Sequence, residues 1–222
     1  MKRIVHVLGN GDQASLFHQR DKPGLILTCN LPPFPVPGNY AACIVDFKFM
    51  RALTEGILDV GGQWILGYRP KIHMDKHPRF YMARAKQVKE FYTVLPKYAG
   101  EGGMGYTNFS CGHMAVHYAC NRIKADEVHL YGFDSIFDFN LNSCSDFYLQ
   151  SLRDGKQNNK LTTNWRPIWS GIFNEFSNTQ FVLHHVHDKF KMEVPDNVKA
   201  QVHLTKKQMN EIANKQPFTG VV

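Results

Sequence analysis

The sequence has no Cys-x-x-Cys pair. Its five cysteines (Cys29, Cys43, Cys111, Cys120, Cys144) are odd in number and widely spaced, which argues against a disulfide framework or a zinc knuckle and fits reduced thiols. No apolar stretch is long enough to span a bilayer, and no charged leader, apolar core and cleavage site follows Met1, so a cytoplasmic protein without a membrane span is expected. The absence of G-x-x-x-x-G-K-[ST] excludes a P-loop nucleotidase, and the absence of G-x-S-x-G excludes an elbow-type hydrolase. His113 and His117 stand four apart on a helix, but Met114 occupies the glutamate position of H-E-x-x-H, which argues against a zincin. Acidic residues are comparatively few, 19 against 26 Lys and Arg, giving a net charge of +7. That balance fits a polyanionic partner or a phosphorylated substrate, and equally an ordinary solvated basic surface, because the basic residues are scattered. Internal repeats, low-complexity tracts and compositional breaks are all lacking, so residues 1–222 are read as one domain.

What the sequence does contain is organised around Thr107 to Ser135. A polar turn leads to a helix expected over Ser110 to Ile123, with Cys111, Met114, Ala115, Tyr118 and Ala119 on one face and Ser110 placed to cap it. A buried strand, Val128 to Phe133, follows and stops at Asp134 and Ser135. Further apolar runs predict strands at Arg3 to Gly9, Leu25 to Asn30, Tyr40 to Phe47, Gln63 to Tyr68 and Gln180 to Val186. Helices are expected at Lys48 to Glu55, over Pro78 to Phe91, through Asn164 to Phe176, and in the KKQMNEIANK of a basic tail that begins at residue 195. Between them, Ser135 to Thr163 lacks a period and carries several aromatics, which reads as a lid, part of it helical.

Apolar runs separated by helix-length segments imply an α/β fold, a mostly parallel sheet with helices on both faces and a long lid loop. The strand ends carry Gly9, Asn10 and Gly11; Asn30; Asp46; Asp134 with Ser135; and His184, His185, His187 and Asp188. In a parallel sheet these ends share one edge, so the residues converge on one crevice. The alternation of a strand places His185 and His187 on one face and His184 on the other. A helix N-terminus attracts anions, which puts Ser110, Cys111 and Gly112 at the same edge. It also makes Cys111 a candidate nucleophile, with a small buried residue as the alternative.

The VLGNG turn, the LTCN that follows, and the Ser110-Cys111-Gly112 helix start leading to ADEVHLYGFDS resemble the long and short sialylmotifs of sialyltransferase-like glycosyltransferases, in particular the bacterial fold. The likeness covers about half of the chain. It implies a Rossmann-like domain, a nucleotide-sugar donor linked to CMP, inversion at the sugar carbon, and no metal or other cofactor. Carried over by position, it puts Asn10 against the donor phosphate, Asn30 and Asp46 near ribose or sugar, and Ser110, Cys111 and Gly112 beside the nucleotide. Three positions depart from the pattern: Cys111 replaces the middle Ser, Asn108 replaces a basic residue, and no histidine lies between Ser135 and Asn164. The candidates for the base are therefore Asp134 and Asp138 after the central strand, or His185 and His187 after the last. The acceptor is open among glycan, lipid, small molecule and modified nucleic acid. A non-catalytic nucleotide or nucleic-acid binding protein is the alternative, and oligomeric state is not legible.

Overall fold

The computed structural model describes residues 2–100, 108–137 and 155–215. Among them an 8-stranded sheet, every pairing parallel, runs β5-β4-β3-β2-β1-β6-β7-β8. The strands are β1 (Ile4–Leu8), β2 (Leu25–Cys29), β3 (Ala41–Ile44), β4 (Trp64–Leu66), β5 (Val88–Phe91), β6 (Glu127–Tyr131), β7 (Gln180–His185) and β8 (Val198–Val202). The helices are α1 (Phe47–Thr54), α2 (Tyr68–Lys76), α3 (Pro78–Arg84), α4 (Lys97–Gly100), α5 (Cys111–Asn121), α6 (Gly155–Glu175) and α7 (Lys206–Lys215), and a 3-10 helix spans Asp12–Gln19. Strand order reverses between β1 and β6. The result is a doubly wound, Rossmann-like α/β sheet whose switch point lies where those two strands end.

Alternation along the strands divides the core between the two faces. Val5, Val7, Val128, Leu130, Phe181 and Leu183 point toward Met114, Ala115 and Tyr118 of α5 and toward Trp169, Ile172 and Phe173 of α6. On the opposite face, Ala42, Ile44, Trp64 and Leu66 pack with Phe49, Met50 and Leu53 of α1 and with Met74 of α2. Beside them Leu8, Ile26 and Tyr131 pack under Ala14, Leu16 and Phe17 of the 3-10 helix. The inner strands are buried on both faces as parallel strands must be, β3 and β4 being wholly apolar while β1 and β6 admit His6, Glu127 and His129.

Three sequence readings need correction. The helix expected over Pro78 to Phe91 ends at Arg84, and Val88–Phe91 is an edge strand. Val198–Val202 is a strand at the other edge, where no element was expected. Both carry charged, partly exposed side chains because an edge strand has one neighbour instead of two, so neither gives an apolar run. The strand expected to run to Tyr68 ends at Leu66, and Tyr68, Arg69 and Pro70 form the first turn of α2, where a proline's missing N–H has no partner to lose. Of the expected lid, residues 138–154, including Asp138, lie outside the described residues. No described helix is long and apolar enough to cross a membrane.

Candidate functional site

The residues expected at the strand ends form a row along the carboxyl edge of the sheet. At its centre the Gly9–Gly11 turn leaves β1 and lies directly on the turn leaving β6. Gly9 N–H donates to Tyr131 O (2.8 Å) and Gly11 N–H to Gly132 O (3.1 Å). A Cβ at Gly9 would stand 2.6 Å from Gly132 O, and one at Gly11 2.5 Å from Asp134 Oδ2. These glycines are therefore required first by the contact between the two switch-point turns, whatever approaches them from outside. Asn10 spans toward β2, donating from Nδ2 to Cys29 O at 2.8 Å, and its Oδ1 is buried without a partner among the described residues.

On the β2–β4 side, Asn30, Asp46 and Cys111 come together. Asn30 leaves β2 with φ +53°, a left-handed conformation that Asn tolerates better than most side chains. Its Oδ1 accepts from the Cys111 thiol at 3.0 Å, and Asp46 Oδ2 is 3.8 Å from the same sulfur. Burial, reinforced by Asp46, pushes the Cys111 thiol well above its usual pKa. It is thus held as a neutral hydrogen-bond donor, and the nucleophile reading of Cys111 is set aside. Arg69 NH2 donates to Asp46 Oδ1 at 3.0 Å. Beside this pair a small cleft of about 10 Å³, room for about one water, is lined by Val45, Tyr68, Arg69, Tyr92, Phe109 and Met114.

On the β6–β7 side, Asp134 and His185, chosen separately from the sequence, face each other with Nε2 3.7 Å from Oδ1. His185 Nδ1 accepts the His187 backbone N–H at 3.0 Å, so the neutral ring carries its proton on Nε2, toward Asp134. Phe137 stacks on His185 at 4.0 Å and 6°. Asp134, Ser135 and His185 are all buried, while His187 is exposed. Arg166 of α6 donates from Nε to Ser135 O at 3.0 Å. His184 turns to the opposite face and takes no part here, as strand alternation requires.

At the start of α5, Ser110 Oγ accepts the His113 N–H and His113 Nδ1 accepts the Ser110 N–H, a capping box with His as the reciprocal partner. His117 instead accepts from the Tyr92 hydroxyl (2.6 Å) and faces Glu175 at 3.4 Å. The two histidines are thus committed to separate structural tasks, and no cluster of three metal-binding side chains occurs among the described residues. Over Gly112 lies the Phe133 ring, 2.4 Å from where a Cβ would stand. The space assigned to a phosphate at Gly112 is occupied by that ring, so Gly112 stands under Phe133 and an anion could reach it only if the ring moved.

Gly112→Ala should consequently destabilise the fold by about 1–3 kcal/mol through overpacking. In a Phe133→Ala background the same change should be neutral or favourable, since Ala exceeds Gly in helix propensity by about 1 kcal/mol. Urea unfolding of the four proteins checks this; a Gly112→Ala protein more stable than its parent would refute the contact.

Arg69 and Arg166 are the site residues that sequence reasoning passed over. Arg69 belongs to no motif of the sequence, and Arg166 is brought in by a helix distant in sequence. No protein family, no curated protein and no solved structure matches this chain. What the fold and the site define together is a doubly wound α/β protein with a polar row at its switch point.

Proposed function

We propose that the protein is a sialyltransferase-like glycosyltransferase that moves a sugar from a nucleotide-activated, CMP-linked donor to a hydroxyl acceptor with inversion. The observation that carries this reading is the meeting of Asp134 and His185 beside the Gly9–Gly11 turn, at the one place in the sheet where strand order reverses. A transfer to oxygen needs a group to take the hydroxyl proton, and Asp134 is a buried carboxylate that faces the His185 imidazole at 3.7 Å. His185 is less suited to that role, because Nδ1 is already engaged and Nε2 carries the proton.

The resemblance assigns Asn10 to the donor phosphate, but an unpartnered carbonyl oxygen suits a hydroxyl donor better than an anion, so ribose or sugar is the better match. Positive charge for the phosphate falls to Arg69 and Arg166 and to backbone N–H groups rather than to a metal.

The test is turnover of CMP-linked sugar by the purified chain, with and without EDTA. Release of CMP that EDTA does not diminish is expected. Nucleotide binding with no turnover of any sugar nucleotide would select the alternative, a non-catalytic nucleotide or nucleic-acid binding protein, which the missing histidine, Asn108 in place of a basic residue and the net charge of +7 favour.

A further inference from the structure

On the sheet face opposite α5, His203, His184 and His129 stand in single file. His203 Nε2 lies 2.8 Å from His184 Nδ1, and His184 Nε2 lies 2.8 Å from His129 Nδ1. The outer end meets Gln19 Oε1, 2.9 Å from His203 Nδ1, and the inner end meets Glu127 Oε1, 2.6 Å from His129 Nε2. Strand alternation builds the file, since Glu127 and His129 are two apart on β6 and His184 lies on the same face of β7.

Each of these contacts needs one hydrogen between its two heavy atoms. An ionised Glu127 only accepts, so the innermost hydrogen sits on His129 Nε2. Three neutral imidazoles supply one N–H each. With the Gln19 oxygen turned inward, the outermost hydrogen must also come from His203, and the contacts then need one hydrogen more than neutral rings possess. The file in that state carries an added proton. Turning the Gln19 amide over lets its NH2 donate to His203 Nδ1, and three neutral rings, each protonated on Nε2, then satisfy every contact. The two states are equally hydrogen-bonded and differ by one proton and one amide orientation.

We propose that this file is a one-proton relay, an acid-responsive element in which a proton entering at the Gln19–His203 end is shared by three rings while the Gln19 amide turns over. A second proton would set two N–H groups head to head and is refused. The surroundings enforce the limit. Lys2 and Lys22 hold Glu127 at 2.5 and 2.6 Å. Burial would raise the Glu127 carboxyl, but the hydrogen bonds from Lys2, Lys22 and His129 outweigh it and take the pKa down to about 2. His6, 5.0 Å from the His129 ring, is already satisfied, with one nitrogen at Lys22 O and the other at the Tyr131 hydroxyl. Tyr131 itself stacks on His184 at 4.1 Å. Burial depresses all three rings of the file; beyond that, Lys22 disfavours the proton on His129 and His184, and Asp21 favours it on His129 and His203. Gln19 is the last residue of the 3-10 helix that leaves the crevice turn, and His203 precedes α7, so the relay reaches both.

The test is two-bond imidazole ¹⁵N–¹H NMR of the full chain from about pH 8 to about pH 4, with proton uptake measured alongside. At the alkaline end, His129, His184 and His203 should all be Nε2–H tautomers. On acidification they should shift together at one midpoint with uptake of one proton. Gln19→Glu, an exposed substitution, can only accept while ionised, and should raise that midpoint by about one pH unit or more. Separate midpoints for the three rings, an Nδ1–H tautomer at the alkaline end, an unmoved midpoint in Gln19→Glu, or zinc taken up between the rings would each overturn the proposal.

Discussion

Asp134→Asn should lower turnover of a matching sugar nucleotide by about 10²–10⁴-fold, the usual contribution of a positioned base, and leave donor affinity nearly unchanged. The amide fits the same space and still faces His185 Nε2, so the loss should fall on kcat rather than on KM or on folding. His185→Gln should cost less, because that ring positions the carboxylate without receiving the proton. The pH–rate profile separates the roles: the limb that reports the base should vanish in Asp134→Asn and only move in His185→Gln. Turnover of Asp134→Asn within about threefold of the parent would remove Asp134 from this role. Loss of the limb in His185→Gln with Asp134→Asn unaffected would transfer it to the histidine.

The second large effect is on stability. Burial lowers His113 to about 3, and burial with the His129 charge lowers His6 to about 4. Each is neutral in the folded chain at a pH where its unfolded counterpart, with a pKa near 6.5, is protonated. Below that value the unfolded state binds more protons, so stability is complete above about pH 6.5 and falls as the medium is acidified, until the folded-state values are reached. Each of the two groups costs about 1.4 kcal/mol per pH unit in that window, or about 4 kcal/mol together by pH 5. That is a large part of the whole stability of an ordinary domain, about 5–15 kcal/mol. Urea midpoints measured from about pH 8 to about pH 5 should therefore drop steeply, and His6→Gln should flatten the slope by about one proton's worth. Midpoints that stay level across this range would show that these histidines are protonated without cost, contrary to their burial.

The central strands and helix α5 were legible because strands buried on both faces read as continuous apolar runs, and because α5 shows its spacing and its Ser110 cap. The edge strands were not, since half-exposed Val88–Phe91 and Val198–Val202 carry Lys, Glu and Gln where a central strand carries Val or Leu. The polar row was legible for a topological reason: strands that are all parallel bring their carboxyl ends to one edge, so Asp134 and His185 met although 51 positions separate their numbers. Side-chain commitments inside the row were not. Nothing in the order of residues says that Phe133 covers Gly112, that His113 completes a capping box, or that Arg69 reaches Asp46, because each depends on how one element lies on another.

Calorimetric titration of the full chain with CMP, UMP, GMP and AMP, beside the Asn10→Ala protein, tests most directly whether the switch-point row is a nucleotide site. Saturable binding of CMP in preference to the others is expected, weakened about fivefold or more when the Asn10 acceptor is removed, as the loss of one hydrogen bond of about 1 kcal/mol requires. Absence of binding by any of the four nucleotides to folded protein, or CMP affinity unchanged in Asn10→Ala, would contradict it.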